Sequence, residues 1–294
     1  MSLVAFLGAV ELGLIYGLVA LAVYLSFRVL SFPDLTVDGS FPLGAAVAAT
    51  AIAGGLGAWL GTALALAAGA LAGLVTAILN VRFRILHLLA SILTMIALYS
   101  INIRIMGRPN VALLGDATLF TPFEGLGLSQ TWLRPLVVGV IVAAVALLLV
   151  RFLASEVGLA MRATGVNPRM AEAQGIAVGA ITCLGMALSN ALAALGGALF
   201  AQANGFADVT LGTGTIVVGL AAVIIGETLL PRPTVAAAVL GCILGSVFYR
   251  LVVAVALGTD FMGLQASDLN LVTAVIVGAA LILPAVRGRL RAAT

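Results

Sequence analysis

The stretch Phe32–Ala49, FPDLTVDGSFPLGAAVAA, puts two carboxylates and a Gly-Ser pair ahead of a small-residue helix, inside a chain that is otherwise almost unbroken hydrocarbon. Of 294 residues, 63% are hydrophobic and 9% charged, against roughly 45–50% apolar and 25% charged in soluble domains. Water cannot solvate such a surface, so the chain reads as an all-α polytopic membrane protein. In hydrocarbon every backbone amide needs a partner within the protein or a wet cavity. Asp34, Thr36, Asp38 and Ser40 therefore either repair a break in a helical bundle, by capping the helix that starts near Gly39, or line a path through it. The two roles are compatible, because a helix N-terminus is also an anion-friendly pole.

Working outward, apolar runs of about 20 residues mark membrane-spanning helices. They fall at 3–27, 39–56, 58–80, 85–106, 133–152, 177–203, 213–230, 234–257 and 269–286, which makes nine spans. The first run is too long for the apolar region of a cleavable signal, so none is expected. With the N-terminus outside, ten arginines (28, 82, 84, 151, 162, 169, 232, 287, 289 and 291) fall inside. Arg104, Arg108 and Arg134 fall outside, and Arg250 lies near the outer end of its helix. The positive-inside rule selects this orientation, N-terminus out and C-terminus in. The net charge of +3 thus reports topology rather than affinity for nucleic acid. Cys183 and Cys242 sit in apolar runs without metal-ligand spacing and read as small core residues.

Two connections stand out. Residues 107–131 form a long outer loop carrying Asp116 and Glu124, large enough for a docking surface. Residues 155–176 form the one sizeable inner loop. Within it Asn167 suits an N-cap and Pro168 the first helical position, while Gly175 suits a left-handed stop after Gln174. A short amphipathic cytoplasmic helix is predicted there.

The opening segment has an echo. DLTVDGSFPLGAAVAA from Asp34 compares with DVTLGTGTIVVGLAAV from Asp208. Asp34 follows the first span and Asp208 the sixth, and these run in opposite directions. Repeat 1 (about 3–106) and repeat 2 (about 177–286) then have inverted topology, joined by a connector helix (about 133–152) and the inner loop 155–176. Transporters recurrently use this plan, with interrupted helices near the repeat interface.

The DLTVDG segment, the loop GLAMRATGVNPRMAEAQGI and the run ALSNALAALGGALFAQ that follows it resemble permeases of bacterial ABC importers of the branched-chain amino acid and ribose type. FPDLTVDGSFPLGAA, SILTMIALYSINIRIMGRPN and QANGFADVTLGTGTIVVGLAAVIIGE are similar to the tryptophan/tyrosine-type permeases among them. The resemblance implies a fold similar to the vitamin B12 importer permease, usually of ten spans, the first of which would be missing here. It implies a homodimer in the bacterial inner membrane, two cytoplasmic ATPase subunits and a periplasmic or lipid-anchored binding protein. Arg162, Gly165, Asn167, Pro168, Arg169, Met170, Glu172, Gln174 and Gly175 would then form the element that docks on the ATPase. ATP and Mg would bind that partner, since the chain has no lysine and no G-x-x-x-x-G-K-[ST] motif. The implied substrate is a small polar solute, an amino acid and an aromatic one by the narrower resemblance.

Polar residues inside spans complete the candidates. Glu11 lies about 13 Å into the first span at 1.5 Å per residue, where an ionisable group is costly and suggests function. Asn102, Asn190 and Gln202 either hydrogen-bond between helices or meet solute, as does Asp208 at the echo. His87 lacks a metal partner and reads as structural. Arg104 and Arg108 suit lipid phosphate or the binding protein. A secondary transporter coupled to an ion gradient would explain the repeats and the buried carboxylates, but not the 155–176 loop. No paired nucleophile and base or H-E-x-x-H site is present, so an enzyme is not expected.

Overall fold

The computed structural model describes residues 3–126, 129–231, 234–258 and 278. Among these the chain is helical apart from one short ribbon. The elements are α1 (Leu3–Val23), α2 (Val37–Ala53), α3 (Ala58–Val81), α4 (His87–Met106), α5 (Gln130–Ala154), α6 (Glu156–Val166), α7 (Pro168–Ala173), α8 (Val178–Asn204), α9 (Thr215–Leu229) and α10 (Val235–Gly258). A π-helical turn, Tyr24–Val29, extends α1, and a 3-10 turn, Val209–Gly212, leads into α9. Strands β1 (Asn110–Ala112) and β2 (Phe206–Asp208) pair antiparallel, Asn110 opposite Asp208. Seven helical stretches are long and apolar enough to cross a membrane, and α2 is a shorter apolar helix of 17 residues. The protein is a multi-pass membrane protein.

Eight of the nine predicted spans coincide with helices; the ninth, 269–286, lies outside the described residues except at position 278, and Arg232, Arg287, Arg289 and Arg291 lie outside them altogether. The second span differs most from expectation. It begins at Val37 because the Thr36 N–H bonds the Asp34 carboxylate. It ends at Ala53 because Gly55 and Gly57, both at positive φ, turn the chain. The 155–176 connection also holds more structure than expected, since α6 precedes the predicted short helix, which is α7.

Helices approach through glycine. A Cβ on Gly44 would overlap the Ala194 carbonyl, and one on Gly197 the Phe41 carbonyl, so α2 and α8 touch backbone to backbone. In α1 and α8, which run antiparallel, the Ser189 hydroxyl donates to the Ala22 carbonyl at 2.8 Å and Gly196 faces Ile15. The packing has a pattern: α8 packs on α3 and α2, while α1 packs on α10 and α9; α2 also packs on α3, as α9 does on α10. Exchanging α1 with α8, α2 with α9 and α3 with α10 maps each pair onto another. The β-ribbon and the start of α1 share one face of the bundle, the ribbon face. The arm formed by α6 and α7 lies at the other, the arm face.

Candidate functional site

Seven extended or turn residues, 30–36, separate the π-turn from α2, with Ser31 at a left-handed φ of 54°. They deliver Asp34 into the core, where it is fully buried. Its Oδ1 accepts the Thr36 N–H at 2.9 Å and its Oδ2 accepts the Asn190 side-chain amide at 2.8 Å. The Ser40 hydroxyl donates to Asn190 Oδ1 at 2.7 Å, and the Thr36 and Thr76 hydroxyls bond at 2.8 Å. Asp34, Thr36, Ser40, Thr76 and Asn190 thus form one closed polar cluster joining α2, α3 and α8, all five wholly buried. Thr36 and Ser40 were expected to cap freed amides. Their hydroxyls instead bond side chains, because Asp34 already holds the amide of Thr36.

Asp38 does not cap its own helix either. Its Oδ1 accepts the N–H of Ile216 at 2.7 Å, at the start of α9. A carboxylate there meets the positive end of the helix dipole. Pro42, inside α2, has no N–H for the Asp38 carbonyl four residues back. That carbonyl faces Gly212, where a Cβ would overlap it. The next carbonyl, of Gly39, accepts the Asn102 amide at 3.3 Å. The broken first turn of α2, the 3-10 turn before α9 and the middle of α4 border a half-open cavity of about 460 Å³. Asp38, Gly39, Tyr99, Ser100, Asn102 and Thr213 contribute to its walls. Asn102 Oδ1 is buried there without a hydrogen-bond partner. Past this first turn α2 is almost wholly buried, so the cavity rather than the length of the helix is its accessible part.

The remaining predicted residues lie elsewhere. Glu11 is half-buried in α1, within electrostatic reach of Arg134 on α5, and joins neither the cluster nor the cavity lining. Gln202 is buried and bonds Thr62, the Ala198 carbonyl and the Leu119 N–H, so it ties the 107–129 loop to α3 and α8. Asp208 repeats the Asp34 turn, its Oδ1 accepting the Thr210 N–H at 2.8 Å, but it sits on the ribbon and also accepts from Asn110. Burial alone would raise the Asp208 pKa, yet the hydrogen bonds of Thr210 and Asn110 hold it below the usual carboxylate range. His87 packs against Phe32 with the rings tilted at 55° and their centres 4.4 Å apart.

On the arm, Ser155 caps α6 and Asn167 caps α7, its Oδ1 accepting from Met170 N at 3.1 Å. Gly175 has the left-handed φ of 84° that the sequence required. Arg162, Asn167, Pro168, Arg169, Met170, Glu172, Gln174 and Gly175 are exposed, together with Val166 at 88%. Gly165 is different: it seats on the Val29 carbonyl with no room for a Cβ, so it anchors the arm to the body.

Sequence reasoning missed Thr76, because one threonine in an apolar helix carries no pattern. It counted Arg28 only for orientation, although Arg28 forms an ion pair with Glu227 at the end of α9. It likewise placed Arg250 near the outer end of its helix, where its guanidinium stacks 4.0 Å over the Tyr16 ring. No local pattern signals the Arg28–Glu227 ion pair: its residues are 199 apart in sequence, and only the fold brings α1 and α9 together.

A family model described as branched-chain amino acid transport system / permease component matches residues 6–286. The chain is 38% identical over 265 residues to a tyrosine transport system permease protein of Clostridioides difficile (strain R20291), covering 90% of this chain and 86% of that one. It is 34% identical over 273 residues to an uncharacterised protein of Rickettsia prowazekii (strain Madrid E), covering 92% and 94%. No solved structure matches the chain.

Proposed function

Because the chain belongs to the branched-chain amino acid transport system / permease component family, we propose that it is the membrane-spanning subunit of an ATP-driven ABC importer. The solute is an amino acid, and the likeness to a tyrosine transport system permease protein favours an aromatic one. A binding protein delivers it, and two ATPase subunits holding ATP and Mg drive its passage through a homodimer of this chain in the inner membrane. The subunit itself transports and catalyses no reaction. Nine spans in two inverted repeats, with a fold similar to the vitamin B12 importer permease, account for the exchangeable packing of α1–α3 and α8–α10 and for the shared Asp-x-Thr turn. The N-terminus faces out and the C-terminus faces in.

One observation carries the reading: a rigid, doubly capped arm presents Val166, Met170, Arg169 and Glu172 to solvent at one face. An arm that only rested on lipid would need no capped elbow with charges on both sides of exposed apolar groups. Arg162, Asn167, Pro168, Gln174 and Gly175 complete the docking surface, and Gly165 sets its position. The cavity beside Asp38 and Asn102 is the solute path within each protomer. Asp34, Thr36, Ser40 and Asn190 hold its frame, Asp208 and Gln202 brace it from the ribbon face, and Glu11 lies along α1 towards the entrance.

The test is copurification of a cognate ATPase of this permease family, with uptake measured in vesicles. Charge reversal at Glu172 should abolish ATP-dependent uptake while the permease remains folded. Uptake that persists without the ATPase under an ion gradient would instead make the chain a secondary transporter.

A further inference from the structure

We infer that the Arg28–Glu227 ion pair is the contact through which movement of the α6–α7 arm reaches the solute cavity. This rests on the permease reading above and adds two positioning residues to it.

The chain of contacts is continuous. Gly165 of α6 sits directly on the Val29 carbonyl, so the arm cannot shift without shifting that turn. Buried Met161 of α6, packed with Gly185 and Leu30, closes the same joint. The turn is π-helical, a geometry that recurs as a single-turn bulge at functional sites. Arg28, on the same turn, pairs with Glu227, 199 residues away in the last turn of α9. The far end of α9, about 18 Å from Glu227 at 1.5 Å per residue, begins where Asp38 bonds Ile216 in the cavity wall. A rigid helix thus joins the ion pair at the arm face to the residues around the cavity.

The pair is also in the wrong place for a purely structural one. A carboxylate in the last turn of a helix meets the negative end of the dipole, so Glu227 burdens α9 unless a cation faces it. The Arg28 side chain is 53% exposed and that of Glu227 40%, and exposed pairs add little to stability. A cavity of about 340 Å³ beside them, lined also by Tyr24, Arg162 and Thr234, gives them room to part. Arg162 brings a second guanidinium, carried by the arm itself, to the wall of the same space. When the arm moves, Arg162 competes with Arg28 for the single carboxylate. The arrangement therefore has two pairings available, which is what a coupling element requires.

Charge exchange tests this in the permease–ATPase complex reconstituted in vesicles. Arg28→Glu and Glu227→Arg should each lower solute uptake per ATP hydrolysed by about five- to 150-fold, the usual span of a coupling interaction. Complex yield should stay at the wild-type level. The double variant Arg28→Glu/Glu227→Arg should restore uptake to near wild type, which a loss of folding would not do. Wild-type uptake in either single variant overturns the inference, and so does a failure of the double variant to recover while the ATPase still copurifies. If the wild-type permease does not copurify with the ATPase, the permease reading itself fails and takes this inference with it.

Discussion

The turns at Asp34 and Asp208 are the same local structure in opposite surroundings. In each an aspartate Oδ1 accepts the N–H of a threonine two residues on, at 2.9 Å and 2.8 Å. Asp34 is wholly buried with Asn190 on its second oxygen, while Asp208 stands on a ribbon with Asn110 beside it. A short polar motif therefore fixes where a helix starts, and the surrounding packing decides how much depends on it. Where water can replace a lost bond the motif is a convenience. Where hydrocarbon surrounds it, every donor released is a cost.

The largest contrast should come from Asp34→Leu. It strands the Thr36 N–H and one N–H of the Asn190 amide, which keeps its bond to the Met186 carbonyl, so two buried donors are released at about 1–3 kcal/mol each. The purified protein should melt well below wild type or fail to accumulate. Wild-type yield and melting temperature for this variant would erase the distinction between the two turns.

Next is Gly212→Ala, which drives a methyl into the Asp38 carbonyl where the two segments meet. Overpacking of this kind costs about 1–3 kcal/mol, read as a lower melting temperature in detergent. An unchanged melt would mean the contact between the 3-10 turn and α2 is loose.

Asp208→Ala should cost only about 1 kcal/mol, the usual worth of a cap. Because the folded Asp208 titrates below its ordinary value, its contribution is complete above about pH 3.9. It fades as pH falls through the lower, folded value. The melting difference between wild type and Asp208→Ala should therefore hold from pH 7 to 5 and shrink below pH 4. A difference that grows on acidification contradicts the assigned hydrogen bonds.

The smallest effect belongs to Asp38→Asn. Asparagine caps a helix about as well as aspartate and keeps an acceptor for Ile216, so stability should change by less than about 0.5 kcal/mol. Uptake measured alongside separates a structural carboxylate from one that the solute needs.

How much of this was legible follows from the kind of signal each feature leaves. Spans were readable because about 20 apolar residues cannot hide, and Asn167, Pro168 and Gly175 because cap chemistry is local. The shared turn was readable from four residues, Asp34 and Thr36 with Asp208 and Thr210. The partners were not. That Asp38 serves α9 rather than α2, or that Gly165 seats on Val29, depends on contacts between distant segments that no local pattern encodes. Thr36 and Ser40 were assigned to backbone amides for the same reason: their actual partners, Thr76 and Asn190, are 40 and 150 residues away.

That separation sets a timetable for synthesis. The second partner of Asp34 lies 156 residues downstream. At about 5–20 residues per second, roughly 8–30 s pass before Asn190 leaves the ribosome. Through that interval α1 and α2 are already made, yet the second oxygen of their carboxylate lacks its side-chain partner. The nascent hairpin must be kept from open lipid, by the insertion machinery or by water drawn in with it, until α8 arrives to close the cluster.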